Sequence, residues 1–82
     1  MSSIRIRLFA VLRDRFGAEF VALDLAPGTT ARALLQRLAV QYPDHARHLS
    51  TCRVAVNHRF ASDTEVVAPE DEVALIPPVS GG

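Results

Sequence analysis

The chain has 82 residues, of which 49% are hydrophobic, so its apolar side chains suffice for the core of a single domain. Nine basic residues balance nine acidic ones, and this neutrality gives no electrostatic reason to expect nucleic acid or an anionic membrane as a partner. The single Cys52 excludes an internal disulfide, which favours a reducing, cytoplasmic location. Because alternating Arg and apolar residues directly follow residues 1–3, we expect no signal peptide, and no apolar run reaches membrane-spanning length.

The first elements form a predicted hairpin. Residues 4–11 alternate with period two and predict a strand. Its apolar face would carry Ile4, Ile6, Leu8 and Ala10, and its other face Arg5, Arg7 and Phe9. Residues 14–18, with Gly17, predict a turn, and residues 20–25 predict the second strand.

One main helix follows the hairpin. Thr30 is its expected N-cap, with Thr29 as the alternative. Apolar residues then recur at helical spacing: Ala31, Leu34, Leu35, Leu38 and Tyr42. Pro43 is expected to end the helix near Tyr42, and the polar residues 44–51 predict a loop or a short turn of helix.

The remaining segments complete a mixed sheet. Residues 53–56 predict a short strand, Asn57-His58 a tight turn, residues 59–61 an antiparallel return and residues 72–76 the last strand. This order predicts an α+β, ubiquitin-like β-grasp fold, with about five strands and one main helix across one face. In that arrangement the first and last strands lie side by side at the centre of the sheet. We expect residues 1–82 to form one domain, with residues 77–82 as an extended functional tail.

The sequence ends on Gly81-Gly82, which we expect to be a free C-terminus. Glycine has no Cβ, so the terminal carboxylate would fit a narrow channel. Pro77 and Pro78 stiffen the approach and cannot donate to a sheet edge. Six extended residues reach roughly 20 Å, enough to enter the active site of another protein.

Three segments together resemble a known family. Residues 8–14 (LFAVLRD) are similar to the opening signature of the small-subunit family of molybdopterin synthases, ubiquitin-like sulfur carriers of the MoaD/ThiS type. Residues 54–57 (VAVN) resemble its Val-Asn turn, and residues 71–82 (DEVALIPPVSGG) resemble its terminal block. The family usually has glycine where this chain has Glu70, so we expect altered turn geometry there.

The resemblance implies a sulfur carrier that binds no cofactor of its own. An adenylating enzyme similar to ubiquitin-activating enzymes would use ATP to adenylate Gly82, and a sulfur donor system would convert the adenylate to a thiocarboxylate, a 1-thioglycine. The large synthase subunit, in a heterotetramer of two small and two large subunits, would supply the catalytic residues. Sulfur would then pass to the cyclic pyranopterin precursor of the molybdenum cofactor.

Several residues are candidates for this role. Gly82 would carry the adenylate and the thiocarboxylate, and Gly81 would keep the tail slim. Four residues would pack into the partner's channel: Pro77, Pro78, Val79 and Ser80. Phe9, Phe60 and Ile76 would form an exposed contact patch, unless loops cover them.

Other reactive residues favour plainer interpretations. Cys52 abuts a short strand, which is more typical of a core thiol than of a nucleophile. The three histidines, His45, His48 and His58, lack further zinc ligands and are expected to be solvated. The acidic residues Glu65, Glu70, Asp71 and Glu72 predict a solvated edge or a complement to a basic partner. Three arginines either steer docking or keep the sheet soluble: Arg5, Arg7 and Arg13.

Competing functions stay open. A related sulfur carrier for thiamine or cysteine biosynthesis is the nearest alternative, although residues 77–80 (PPVS) favour the pterin pathway. A ubiquitin-like modifier joined to lysines of other proteins is a second alternative. An interaction module with an inert tail is a third.

Overall fold

The computed structural model describes residues 2–78. Over these residues the chain forms, in order, β1 (Ser2–Leu8), α1 (Ala10–Phe16), β2 (Phe20–Leu25), α2 (Ala31–Gln41), a 3-10 turn (Pro43–His45), α3 (Ala46–Ser50), β3 (Arg53–Val56), β4 (Arg59–Phe60) and β5 (Val73–Ile76). No helix within residues 2–78 has the length and apolar character needed to cross a bilayer.

The five strands make one mixed sheet in the order β2-β1-β5-β3-β4. The first and last strands are neighbours at its centre, and they run parallel, with Ile6 opposite Val73. The other pairings are antiparallel. The predicted mixed sheet with adjacent first and last strands is therefore confirmed.

The two faces of the sheet differ in what covers them. Alternate residues of β1, β2, β3 and β5 are buried on the inner face, and the helices cover this face with Leu12, Leu34, Leu38 and Leu49. Burying one such side chain contributes roughly 1.5–3 kcal/mol. The outer face carries the residues between them, including Arg5, Arg7, Ala22, Arg53, Ala55, Ala74 and Ile76, and no helix of residues 2–78 covers it.

The prediction of a strand over residues 4–11 is wrong for its last three residues, 9–11. β1 stops at Leu8, Phe9 is the extended N-cap of α1, and Ala10 begins this helix instead of extending the apolar stripe. The helix is favoured because Leu12 and Phe16 lie four residues apart and both pack into the core. Gly17 ends it in the left-handed conformation (φ 67°), and its N–H donates to the carbonyl of Arg13. The turn predicted over residues 14–18 is thus mostly helical.

The main helix follows its prediction closely. The hydroxyl oxygen of Thr30 accepts a hydrogen bond from the N–H of Ala33 (3.2 Å), which confirms Thr30 as the N-cap. Helix α2 ends at Gln41, with Tyr42 as its C-cap immediately before Pro43. The segment predicted as loop or short helix forms the 3-10 turn and α3, because the apolar Leu49 there is buried in the core.

The hairpin of β3 and β4 has the predicted two-residue turn. Asn57 (φ 52°) and His58 (φ 69°) both adopt the left-handed conformation. Two successive positive φ angles are typical of the type I′ turn, whose twist matches that of the strands. The last strand begins at Val73, one residue later than predicted.

Candidate functional site

The root of the predicted tail is held by the centre of the sheet. Strand β5 lies between β1 and β3, and Ile76 pairs with Arg53 at the end of the ladder. Pro77 is half-buried and Pro78 is exposed, and neither lies in a strand. Four predicted tail residues lie outside the described residues: Val79, Ser80, Gly81 and Gly82. The described part therefore supplies a rigid base from which the tail departs.

A hollow of about 330 Å³ lies on the outer face beside this root. Ala55 and Ala74 pair across β3 and β5 and both line it. Phe9, Phe60 and Ile76 line it as well, with Phe9 37% exposed and Phe60 50% exposed. The structure thus brings together the three residues predicted as a contact patch, and no loop covers the two phenylalanines within residues 2–78. Their contact with a partner stays a prediction.

Arginine side chains lie against aromatic rings across the outer face. The guanidinium carbon of Arg5 lies 4.2 Å from the ring centroid of Phe20, and that of Arg53 lies 3.9 Å from the centroid of Phe60. The guanidinium carbon of Arg7 lies 5.4 Å from the ring centroid of Phe9. A guanidinium nitrogen of Arg7 lies 3.8 Å from a carboxylate oxygen of Glu19. Stacking of this kind holds a guanidinium flat on the ring and leaves its N–H edge available for carboxylates.

Two side-chain contacts border the hollow at the turn between β3 and β4. His58 Nε2 lies 3.0 Å from Glu72 Oε2. Arg59 donates two hydrogen bonds to Glu65, at 2.9 and 2.6 Å, and these bonds hold the pKa of the Glu65 carboxyl below its usual range. Glu65 is therefore engaged within the chain, whereas the sequence predicted a solvated residue.

A hydrogen-bonded clasp joins the same turn to the start of β5. Asn57 Nδ2 donates to Asp71 Oδ1 (3.1 Å), and Asn57 Oδ1 accepts from the N–H of Glu72 (3.0 Å). Asp71 Oδ2 also accepts from the N–H of Ala68 (2.8 Å), and these bonds, the one from Ala68 foremost, lower the pKa of Asp71. Sequence reasoning missed this clasp, although Asn57 within the predicted turn and Asp71 two residues after Pro69 were its visible signals.

Glu70 occupies an ordinary turn position. The N–H of Asp71 donates to the carbonyl of Ala68 (3.0 Å), so residues 68–71 form a hydrogen-bonded turn with Pro69 in its second position. Positive φ angles outside glycine occur, among residues 2–78, at Ala10, Asn57 and His58 only. Glu70 therefore needs no glycine-like conformation in this chain.

Cys52 is a core thiol, as predicted. It is buried, and its S–H donates to the carbonyl of His48 (3.2 Å). Burial raises its pKa to about 11, so little reactive thiolate forms near neutral pH. This environment does not support a nucleophile or a persulfide carrier.

The histidines do not converge. The ring of His45 packs on Phe16 with centroids 4.3 Å apart, so it is less solvated than predicted. His58 instead contacts Glu72 at the turn between β3 and β4. Among residues 2–78, no three His, Cys, Asp or Glu side chains are grouped as metal ligands would be. The site therefore consists of a tail root and an apolar hollow flanked by arginines.

Comparison with known proteins agrees with this arrangement. The model of the ThiS family matches residues 6–82. A molybdopterin synthase sulfur carrier subunit of Arabidopsis thaliana is 33% identical over 79 residues, which span 96% of this chain and 82% of the relative.

Solved structures show the same fold. SAMP1 of Haloferax volcanii superposes with a TM-score of 0.81 at 31% identity, covering 99% of this chain and 100% of SAMP1. A complex of subunits 1 and 2 of the molybdopterin-converting factor of Helicobacter pylori contains a chain with a TM-score of 0.67 at 18% identity, covering 98% of this chain and 99% of that one. The fold is the predicted ubiquitin-like β-grasp. With a family match over nearly its whole length, the chain belongs to the ThiS family.

Proposed function

We propose that this protein is the sulfur carrier subunit of a molybdopterin synthase. The observation that carries the proposal is similarity to relatives of that name, which are 32% identical over 96% of this chain in Chlamydomonas reinhardtii and 36% identical over 82% of it in Mycobacterium tuberculosis. The family match extends to Gly82, the residue that the chemistry requires.

The proposed chemistry takes place on the terminal carboxylate of Gly82. A carboxylate is a poor electrophile because oxide would have to leave. Attack of the carboxylate on the α-phosphorus of ATP releases pyrophosphate and forms an acyl-adenylate, in which AMP is the leaving group. A sulfur nucleophile from the donor system displaces AMP, and the product is a thiocarboxylate, the 1-thioglycine form of Gly82. Its sulfur then forms a bond to carbon of the pyranopterin precursor and displaces an oxygen substituent there. Water cleaves the acyl–sulfur bond of this adduct, which leaves the sulfur on the precursor and regenerates the Gly82 carboxylate.

The carrier itself contributes by presenting its C-terminal tail to the partner enzymes. Pro77 and Pro78 keep the tail extended, and Gly81 and Gly82 leave it narrow enough for a channel. The large subunit supplies catalytic side chains in a proposed assembly of two small and two large subunits, and an adenylating enzyme performs the ATP chemistry. This fits a chain whose Cys52 is buried with a raised pKa. A free thiol of this kind also fits the cytoplasm.

Intact-mass analysis tests the proposal directly. The purified chain is incubated with the cognate adenylating enzyme, ATP and a sulfur donor. We expect one oxygen to be exchanged for sulfur at Gly82, and a variant lacking Gly82 to show no exchange. An unchanged mass for the wild-type chain, with an adenylating enzyme shown to be active by pyrophosphate release, would contradict the proposal.

A second candidate function is protein modification. The similarity to SAMP1, a small archaeal modifier protein, favours it. Because all nine basic residues are arginine, any acceptor lysine must lie on another protein. Covalent adducts that contain Gly82 in an isopeptide bond, detected by mass spectrometry of digested cell extracts, would support this function.

A further inference from the structure

The two edges of the sheet differ in how open they are to another strand. β4, at one edge, has two residues, whereas β2, at the other, has six, with the sequence FVALDL. Short edge strands, proline, basic side chains and bulges are the usual features that keep an edge from pairing with another chain. β2 has no proline, basic residue or bulge, and Asp24 is its one charged residue. The edge at β2 is therefore open to a further strand.

The backbone groups that β2 leaves unpaired alternate along the strand. The N–H of Leu8 donates to the carbonyl of Glu19 (2.8 Å), so the backbone of Glu19 faces β1. Because an antiparallel ladder alternates, the N–H and C=O groups of Phe20, Ala22 and Asp24 point away from β1. No other backbone group of residues 2–78 pairs with them. Each of these three residues thus presents a donor and an acceptor at the edge.

Side chains on the outer face of this edge carry opposite charges at its two ends. The guanidinium carbon of Arg5 lies 4.2 Å from the ring centroid of Phe20, and that of Arg7 lies 5.7 Å from the same centroid. Asp24 is exposed, and its cross-strand neighbour on β1 is the uncharged Ser3. Neither Arg5 nor Asp24 forms an ion pair within residues 2–78. The edge is therefore complementary in charge to a second edge of its own kind that runs in the opposite direction.

We propose that β2 pairs with β2 of a second copy of this chain, in a two-fold antiparallel ladder centred on Ala22. In this register Ala22 lies opposite Ala22 of the second copy, and Phe20 lies opposite Asp24 of the second copy. All of these positions have backbone groups that point outward, so each pairing is of the hydrogen-bonded kind. The two five-stranded sheets then form one continuous sheet. The inference does not depend on the proposed function.

This register also brings the unpaired charges together. Cα atoms of a hydrogen-bonded pair lie about 5.5 Å apart, so the carboxylate of Asp24 of the second copy reaches the guanidinium of Arg5 that lies on Phe20. The two-fold symmetry forms this contact twice. A register centred on Asp24 would instead place two carboxylates opposite each other, which is unfavourable.

Pairing at β2 leaves the root of the tail accessible. β1 separates β2 from β5, which carries Ile76, and no residue of β2 lines the hollow on the outer face. Because the two copies of β2 run antiparallel, the two tail roots lie toward opposite ends of the combined sheet. Self-pairing is therefore compatible with the use of either tail.

Sedimentation equilibrium of the purified chain tests for self-association. At concentrations up to about 1 mM, we expect the apparent mass to rise toward twice that of a single chain. Hydrogen exchange measured by NMR locates the interface, because the amides of Phe20, Ala22 and Asp24 should exchange roughly fivefold more slowly, or slower still, in the concentrated sample. The amide of Phe60 faces outward at the other edge and is the control, whose exchange should not change.

A substitution at the centre of the ladder tests the proposed axis. Ala22→Arg places two like charges opposite each other, next to Arg5 of both copies, and should weaken self-association roughly tenfold or more. Ala22 is exposed, so the single chain should accommodate the change. Val40→Arg introduces the same side chain at an exposed apolar residue of α2 and is the matched control. It should self-associate within about twofold of wild type.

Exchange of charge between two variants tests the contact of Arg5 with Asp24. Arg5→Glu and Asp24→Arg, each alone, should weaken self-association roughly tenfold, because every contact then joins two like charges. An equimolar mixture should pair within about threefold of the wild-type affinity, because every contact across the interface again joins an acid and a base. Circular dichroism establishes that each variant is folded, and Arg5→Asp or Asp24→Lys replaces one that is not.

Each outcome bears on a separate part of the proposal. A wild-type chain that stays monomeric up to about 1 mM overturns it, even if the edge accepts a strand of a different protein. Self-association without slower exchange at Phe20, Ala22 and Asp24 places the contact elsewhere and also overturns it. If these amides are protected but the mixed variants do not pair, the charge contact is overturned and the pairing of the β2 edges is supported. None of these results depends on sulfur transfer at Gly82, so failure of the proposed function is detected separately.

Discussion

The two faces of the sheet are built from the same strands and have opposite properties. On β1, Ile6 is fully buried on the inner face, and its neighbour Arg7 is exposed on the outer face beside Phe9. On β5, Leu75 is fully buried, and Ile76 lies by the tail root. The inner face supplies the hydrophobic core, and we therefore expect the fold to tolerate changes on the outer face far better than changes on the inner one. Alternate residues of single strands are thus either buried in the core or exposed on the outer face, where partner contact stays a prediction.

The largest difference between the faces should appear when adjacent residues of β1 are truncated. Ile6→Ala removes a fully buried side chain and should lower the free energy of unfolding by about 2–5 kcal/mol. Arg7→Ala removes an exposed side chain and should change it by about 0.5 kcal/mol or less. Urea unfolding of the two variants measures both values. Comparable losses would show that the outer face also carries the fold.

An intermediate effect on stability is expected where Asn57 joins the β3–β4 turn to the start of β5. Asn57→Ala and Asn57→Gly both remove the amide contacts with Asp71 and Glu72. Alanine must also hold the left-handed conformation (φ 52°), so it should be less stable than glycine by about 1–2 kcal/mol. Thermal unfolding provides the comparison. Equal stability of the two variants would mean that the turn relaxes to another conformation.

The smallest effect on stability should come from charged side chains and should appear only at acidic pH. The folded-state pKa values of Glu65 and Asp71 are lowered, so the stability that they contribute is complete above the unfolded values near about pH 4 and is lost as the pH falls through the folded values. Glu65→Gln should therefore reduce the loss of stability between about pH 5 and pH 2.

Glu70→Gln is the control for this pH profile, because Glu70 forms no ion pair within residues 2–78. Urea midpoints measured across the pH range give the slopes. Parallel profiles for Glu65→Gln and the wild-type chain would contradict the contribution of the Arg59–Glu65 pair.

Local patterns were sufficient for much of the fold. Period-two alternation located β1 as far as Leu8, and threonine before a 3.6-residue repeat located α2 and its N-cap at Thr30. The pattern failed at residues 9–11, because an alternating segment and the start of a helix look alike over three residues. Only the packing of Leu12 and Phe16 favours the helix there.

The sequence by itself determined the strands of the sheet, the main helix, the Asn57-His58 turn and the resemblance that points to Gly82. These features depend on neighbours within a few residues, whose sterics and hydrogen bonds are local. The tertiary structure alone decided the pairing of Ala55 with Ala74, the clasp between Asn57 and Asp71 and the stacking of Arg53 on Phe60. The first two join residues far apart in the chain, and all three depend on strand register, which is set by burying every inner-face residue at once.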